Sequence, residues 1–480
     1  MDLLPVELVR IVYQYCDLPT VRALRLVSTK LADIGYDYLL PDHLTAVEWR
    51  DDVQRLHSIA RHDRLRGKPR SLVFHLARID VGRAQETISL HQWLRHREGH
   101  DFVQEAWTSY HKLEERAALV APLHTRQPML EASLKLLPNL EVLDINFTKN
   151  PYGIAFFDEV FQHHHCRKHD RIRASKDLDS ILSALPHTRL QSLSIDQVPL
   201  ELFRHADTRQ RWLDCAPTFA GLSRLDLVLD VPRQMGPASR SRAINGLARV
   251  LQSASNITHL RLAFHTYHAP AEKFELSFRA LFADDFTYKK LTDLKLEGIS
   301  CSEEDLKSFL LRHSPTLERL RLGGRGLAKP LELSIGGIHL HNGRWRSLFA
   351  GLKENLGALQ RFHLEGDIES GDAFTRTREV WDFLPVVSDD WNTVHQEDEF
   401  EGWYKKSGPP RCKENFDSLG LERFLIAGGP WPMFIKYGNT SAYPSPYSSP
   451  GQSGSSSPVD SPSPASSGTF STFGSPAPSV

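Results

Sequence analysis

A loose pattern of apolar residues, Leu-x-x-Leu-x-Leu, recurs along the chain and constrains the fold more than any other feature. Apolar residues two positions apart lie on the same side of a β-strand, so each occurrence predicts a short strand with one buried side. Four occurrences closely follow an apolar segment of helical character that ends before a Pro, Asn or Gly. The eight occurrences begin at Leu140, Leu190, Leu222, Ile257, Leu291, Leu317, Leu359 and Leu421.

The alternation of helix and strand predicts an α/β fold with parallel strands. One short strand and one helix cannot bury their apolar sides alone, whereas stacked copies share a continuous core. The pattern resembles a degenerate leucine-rich-repeat array. The resemblance implies an irregular, leucine-rich-repeat-like solenoid over residues 41–437, with insertions at about 151–176 and 366–420. Another α/β arrangement with parallel strands is the alternative.

The array departs from that family three residues after the last apolar position of each strand. The family has a regular Asn or Cys there, which forms a ladder of buried side-chain hydrogen bonds. Without that ladder, the turns that follow the strands must be satisfied in some other way. The positions in this chain are Thr148, Val198, Asp230, His265, Ile299, Arg325 and Asp367.

In such strands the leucines turn inward and the residues between and just after them point to the opposite face. Parallel stacking lines these residues up in columns on one concave face, where we expect a substrate to bind. They are acidic in the early repeats and basic at Arg261, Lys295 and Arg321, which favours a partner with one basic and one acidic end. The full set is Asp144, Asn146, Ser194, Asp196, Asp226, Arg261, Lys295, Glu297, Arg321, His363 and Glu365.

Residues 1–40 predict three short helices. Pro5 stands in a first helical turn, Pro19 ends or restarts a helix, and Ser28 can cap a third. Three helices of this length cannot bury enough apolar surface alone, so their exposed faces require a partner. The apolar positions of the first helix recur at helical spacing, at Leu8, Ile11, Val12 and Tyr15.

The run Leu4-Pro5-x-Glu7-Leu8 and the later run Val27-Ser28-x-Lys30-Leu31 resemble an F-box of the form seen in many fungal proteins. Cys16 departs from the family, which usually has Leu there, and Leu31 stands where an aromatic residue is frequent. The resemblance implies docking on a Skp-type adaptor, which joins F-box proteins to a cullin scaffold. An ordinary helical cap over the next domain is the alternative. The residues that match adaptor-facing positions are Leu4, Pro5, Leu8, Ile11, Val27 and Leu31.

Together the two resemblances imply the substrate-recognition subunit of an SCF-type ubiquitin ligase, which binds an unknown protein substrate and has no catalytic residues of its own. An F-box scaffold that acts with a Skp-type adaptor outside ubiquitylation is the alternative. An enzyme that uses a histidine cluster is a third hypothesis.

That cluster consists of His163, His164, His165, Cys166 and His169. Zinc requires four ligands arranged as a tetrahedron, and three adjacent histidines on one segment cannot all face one ion. The neighbouring arginines and lysine repel a cation, and the glycines at 323–326 lack the Lys-Ser/Thr ending of a phosphate-binding loop. We therefore expect no metal, no cofactor and no catalytic site.

A net charge of −1 gives no indication of nucleic acid or of an anionic membrane as partner. Five scattered cysteines do not make a disulfide framework and fit a reducing compartment. Asp2, Glu7 and Arg10 interrupt any apolar core of a signal peptide, and no apolar run reaches the length of a membrane span. The sequence therefore predicts a cytoplasmic or nuclear protein.

Residues 438–480 consist mostly of Ser, Pro, Gly and Ala, with Asp460 as their one charged side chain. Such a segment lacks the apolar content to fold, so we expect it to be disordered. Each Ser-Pro dipeptide in it is a candidate site for a proline-directed kinase, and a low-complexity spacer is an equally weighted interpretation. The six serines are Ser445, Ser449, Ser457, Ser461, Ser463 and Ser475.

Overall fold

The computed structural model describes residues 4–79, 100–148, 171–206, 210–232, 234–265, 273–324, 336–371, 379–383 and 418–431. Its helices are α1 (Val6–Gln14), α2 (Leu18–Arg25), α3 (Thr29–Gly35), α4 (Asp52–Arg61), α5 (His100–Leu119), α6 (Gln127–Lys135), α7 (Arg171–Ala184), α8 (Gln210–Gly221), α9 (Pro237–Ser253), α10 (Phe278–Leu281), α11 (Glu303–Arg312), α12 (Trp345–Leu352) and α13 (Ser418–Ala427).

The strands are β1 (His43–Val47), β2 (Ser71–His75), β3 (Val142–Asn146), β4 (Ser192–Pro199), β5 (Arg224–Asp230), β6 (His259–His265), β7 (Phe274–Glu275), β8 (Asp293–Glu297), β9 (Ile299–Ser302), β10 (Arg319–Gly323), β11 (Ile338–Asn342), β12 (Arg361–Ser370) and β13 (Glu379–Phe383). The fold is α/β, as the sequence predicts.

Nine of these strands form one parallel sheet in the order β1-β2-β3-β4-β5-β6-β8-β10-β12, which follows the chain. The helices follow the same order: α4 packs on α6, and each helix from α6 to α12 packs on the next. Within these nine strands the spatial order follows the chain order without a reversal.

The apolar positions of the repeated pattern line up across the sheet. One column runs through Leu143, Leu193, Leu225, Leu260, Leu294, Leu320 and Phe362, and a second runs two residues later along each strand. All seven side chains of the first column are at most 2% exposed. The columns belong to a continuous core that extends from Leu40 to Leu425.

A second, shorter set of parallel strands, β7, β9, β11 and the end of β12, pairs beside the main sheet. Tight turns carry the chain from the first set to the second. Gly298 and Gly366 adopt positive φ angles of 70° and 77° at two of these turns. Only glycine adopts such angles without steric cost. The sequence pattern did not predict this second set.

Seven of the eight apolar triplets lie on strands, as predicted, but the interpretation of the eighth as a strand was wrong. Its residues Leu421, Phe424 and Ile426 lie on helix α13. The buried residues there are Leu421, Phe424 and Leu425, which recur at helical spacing, while Ile426 is 38% exposed. A triplet spaced i, i+3, i+5 fits both structures, so spacing alone could not distinguish them.

Candidate functional site

The face of the sheet opposite the leucine columns carries a continuous row of polar side chains. Hydrogen-bond register places these residues directly beside one another on successive strands. Neighbouring strands lie about 4.8 Å apart, so each of these residues stands next to the following one. The row runs Asp144, Ser194, Asp226, Arg261, Lys295, Arg321 and His363, which are the residues that the sequence predicts for this column.

A cleft of about 180 Å³ opens on this face over strands β5, β6, β8 and β10. Five cationic and two acidic side chains line it, with His259 and two leucines at its base, so its solvent-facing part carries an excess of positive charge. The cationic residues are Arg224, Arg261, Lys295, Arg319 and Arg321, and the acidic ones are Asp226 and Asp293.

Three like charges on adjacent strands repel one another, so they require compensation. Buried carboxylates supply it. Arg261 lies 3.3 Å from Asp226 and 3.5 Å from Glu297, and the Lys295 ammonium lies 3.6 Å from Glu365. Glu297 and Glu365 are each 1% exposed. The carboxylates therefore hold the cationic side chains from below and leave their outer parts toward the cleft.

Glu297 is charged in this setting. Burial alone would raise its pKa. The hydrogen bond from His265 at 3.1 Å, together with the charges of His265, Lys295 and Arg261, instead holds the pKa well below its usual range. A permanently charged carboxylate fixes the positions of its cationic neighbours.

At the outer edge of the cleft, Arg319 donates to His259 Nε2 at 3.1 Å and lies 3.2 Å from Asp293. Burial lowers the pKa of His259, and the charges of Arg319 and Arg224 lower it further against the opposing effect of Asp293. The neutral imidazole can accept the hydrogen bond, so Arg319 is held in place on both sides.

Eleven residues were predicted from the sequence to lie on an accessible concave face, and for six of them accessibility was wrong. Asn146, Asp226, Glu297, Arg321, His363 and Glu365 are at most 7% exposed. Residues near the end of a strand are covered by the segment that follows a neighbouring strand. Gly324, for example, follows β10 and lies so close to the Glu297 carboxylate that a Cβ there would collide with it. Arg261 and Lys295 remain partly exposed, as do Asp144, Ser194 and Asp196.

The acidic early positions serve the fold. Asp196 accepts hydrogen bonds from the backbone N–H of Phe147 and Thr148 and from the Thr148 hydroxyl, at 2.6, 3.1 and 2.5 Å. Its carboxylate thereby satisfies backbone and side-chain donors of the turn after β3. Because Asp196 accepts these three hydrogen bonds within the chain, we do not assign it to the binding of a basic end of a partner.

Sequence reasoning missed the residues at the outer rim, Arg224, His259, Asp293 and Arg319. They occupy the first position of their strands and pair across the sheet in one register. The alternation of side-chain direction along a strand could have identified them. These residues stand two positions before the predicted row, so their side chains share its face.

The N-terminal helices present a second candidate surface. Val9 and Tyr13 of α1 pack with Val21, Leu31 and Ile34 in a small core of their own. The other side of α1 is also apolar: Leu8 and Ile11 are 47% and 49% exposed, and Tyr15 just beyond the helix is 88% exposed. A helix that is apolar on two sides with only one side covered indicates a binding surface.

Of the six predicted adaptor-facing residues, four reach the surface well. Pro5, Leu8, Ile11 and Val27 are exposed, whereas Leu4 is partly buried against the small core. The assignment of Leu31 was wrong: its side chain is 0% exposed and its carbonyl accepts a hydrogen bond from Tyr13. Additional exposed apolar residues that sequence reasoning did not assign to this surface are Val6, Tyr15, Leu18 and Leu26.

The two parts of this surface lie close together. Lys30 of α3 donates to the carbonyl of Leu4 at 2.8 Å, which holds the start of α3 beside the start of α1. Val27, 68% exposed, immediately precedes Ser28, the residue that caps α3 by accepting from Leu31 N–H. The exposed apolar residues of α1, Leu8 and Ile11, therefore lie close to Val27 in the α2–α3 connection. We call the surface formed by these three residues the head surface.

Several predictions concern parts of the chain that the structure does not describe. The histidine cluster at 163–169, the insertion residues around 384–417 and the tail with its six Ser-Pro serines lie outside the described residues. Within the described residues, no group of three or more His, Cys, Asp and Glu side chains is arranged to hold a metal ion. None of the described helices is both long enough and apolar enough to cross a membrane.

No protein-family model matches this chain, and no curated protein matches it in sequence.

Proposed function

We propose that this protein is the substrate-recognition subunit of an SCF-type ubiquitin ligase, with an F-box in residues 1–40 and a leucine-rich-repeat-like solenoid in the rest of the folded chain. The observation that carries the proposal is the head surface. Leu8, Ile11 and Val27 are exposed beside a small, separate core, which is the arrangement expected of a domain that binds an adaptor through apolar contacts.

The unbroken strand order supports the solenoid. A doubly wound α/β sheet reverses its strand order and binds ligands at the reversal, whereas a solenoid adds each strand beside the last. The main sheet here adds nine strands in chain order, and consecutive helices pack beside one another. Such an array offers one extended face for a protein partner.

In this proposal the protein performs no chemistry. The head surface holds a Skp-type adaptor and through it a cullin, the sheet face holds the substrate, and the other subunits bring activated ubiquitin to the substrate's lysines. The acceleration comes from proximity. The complex would act in the cytoplasm or the nucleus. An F-box scaffold that works outside ubiquitylation shares the head surface and differs in lacking cullin association and substrate turnover.

The test is co-purification with a Skp-type adaptor. Leu8→Ser with Ile11→Ser removes two apolar contacts from the head surface, and we expect adaptor binding to weaken at least about tenfold because a few central residues dominate such interfaces. The matched control is Leu119→Ser with Ile172→Ser, two residues that are 88% and 71% exposed on other helices.

Circular dichroism should show both double variants folded, since Leu8 and Ile11 are about half exposed and Leu119 and Ile172 are largely exposed. Adaptor binding at the wild-type level by the Leu8/Ile11 variant would refute the F-box assignment. If the adaptor binds but no cullin joins the complex, the scaffold alternative replaces the ligase.

A further inference from the structure

The cleft over strands β5 to β10 has a composition suited to an anionic ligand. Only Leu225 and Leu260 among its lining residues are apolar, so it does not suit an apolar ligand. Its most accessible cations are Arg224, which is exposed, and Arg319, which pairs with Asp293 and has a side chain 34% exposed. These two residues form the outer rim.

The rest of the cluster is built to hold cations in place. Arg261 and Lys295 are paired with buried carboxylates on the side away from solvent, and Arg319 is held between His259 and Asp293. Counting the buried Glu297 and Glu365 behind the cleft, four carboxylates oppose five cations. Ion pairs held in fixed geometry keep their donors directed and lose little side-chain entropy on binding.

The dimensions of the outer rim favour an extended ligand. Arg224 and Arg319 stand in one register with two strands between them, so their backbones lie about 14 Å apart. A single small anion does not span that distance. An extended peptide places residues four positions apart about 14 Å apart on the same side, so two acidic residues at that separation can engage both rim arginines.

We infer that this cleft binds an acidic segment of a partner protein, in extended conformation across strands β5 to β10, with acidic side chains four residues apart directed at the two rim arginines. The inference depends on the proposed function only for the identity of that partner as the substrate. The recognition itself requires no adaptor.

The experiment measures binding of a fluorescein-labelled peptide of alternating Glu and Ser to the full chain by fluorescence anisotropy. We expect saturable binding that weakens as salt increases, because the rim is exposed to solvent. A Gln/Ser peptide of the same length should not bind. Arg224→Gln with Arg319→Gln should weaken binding about tenfold, since charge-assisted hydrogen bonds are lost.

Arg242→Gln with Arg249→Gln is the matched control, because both residues are exposed on helix α9 and the change in net charge is the same. Reversal of Arg261 or Arg321 is avoided, since a carboxylate there would face buried Glu297 or lie in a site 3% exposed. Equal weakening by the control pair, or binding of the Gln/Ser peptide, would overturn the inference.

Two further arms identify the anion. Inorganic phosphate that displaces the Glu/Ser peptide as effectively as unlabelled peptide does would indicate a single-anion site and overturn the segment assignment. Binding confined to a phosphoserine/serine peptide would overturn the assignment to carboxylates. Adaptor co-purification of the Arg224/Arg319 variant should be unchanged, so a failed cleft leaves the proposed function standing and a failed head surface leaves the cleft standing.

Discussion

One partly buried arginine pairs with two carboxylates where helix α7 meets strand β5. Arg171 lies 2.7 Å from Glu201 and 2.8 Å from Asp230, and it also donates to the Asp230 carbonyl. Asp230 is the last residue of β5, so Arg171 satisfies both its carboxylate and its backbone carbonyl where the strand ends. A single cation cannot fully neutralise both carboxylates, and this has consequences for pH dependence.

Burial raises the pKa of Asp230 from 3.8 to about 6; the Arg171 charge opposes this and Glu201 adds to it. Below the pKa of the unfolded chain, 3.8, both states carry the proton and the contribution to stability is complete. As pH rises through about 6, the folded state ionises at a cost, and roughly 3 kcal/mol of the free energy of unfolding is lost. Asp230→Asn should remove this dependence between about pH 4 and 6.

Urea unfolding of the wild type and of Asp230→Asn across this pH range measures the difference. Asp63→Asn, whose side chain is 89% exposed, is the control and should follow the wild type. An unchanged pH profile in Asp230→Asn would show that the carboxylate is ionised at no cost in the folded state.

At the residue scale the sequence correctly placed the cross-strand row from Asp144 to His363, because strand alternation determines which side chains share a face. It could not predict burial, since the segments that cover Glu297 and Glu365 come from other parts of the chain. Nor could it show that Arg261 and Lys295 are held by those same carboxylates, which are remote in sequence.

At the element scale, glycine turns decide where one strand set ends and the other begins. Gly298 has a φ of 70°, and a Cβ there would collide with the carbonyl of Phe264. Gly298→Ala should lower the free energy of unfolding by about 1–3 kcal/mol through backbone strain alone. Gly357→Ala, which meets nothing within 4 Å, is the control and should be neutral or slightly stabilising. Chemical denaturation would measure both; equal stability of the two variants would contradict the role of the turn.

Helix α13 shows why a strand-like pattern can form a helix. Its Glu422 carboxylate accepts from the backbone N–H of Phe362 at 2.7 Å and lies 3.6 Å from Arg361, and Phe424 packs edge-on against Trp431. The helix covers the last strand of the main sheet by contacts made across the chain. Apolar spacing predicted the burial of Leu421 and Phe424 but not that of Leu425 in place of Ile426, because tertiary contacts decided the element type.

At the scale of the molecule, the described residues contain two separate apolar cores. The main core runs continuously from Leu40 to Leu425, and the small core joins the N-terminal helices. Links between the two parts are polar and exposed: Arg64 pairs with Asp33 at 2.6 Å and lies over the Tyr36 ring. Surface pairs of this kind contribute at most about 1 kcal/mol.

Deleting residues 1–39 should therefore lower the melting temperature of the remaining chain by no more than a few degrees, because the main core loses none of its buried apolar residues. Truncation after residue 417 should lower it far more, since it removes Leu421, Phe424 and Leu425 from that core. Truncation after residue 437 retains helix α13 and is the control; the composition of the tail predicts an unchanged melting temperature. Scanning calorimetry of the three truncations compares them directly. A large decrease on removal of residues 1–39 would mean that these helices are part of the main fold, and the head surface would then be a covered face of that fold rather than a separate adaptor-binding domain.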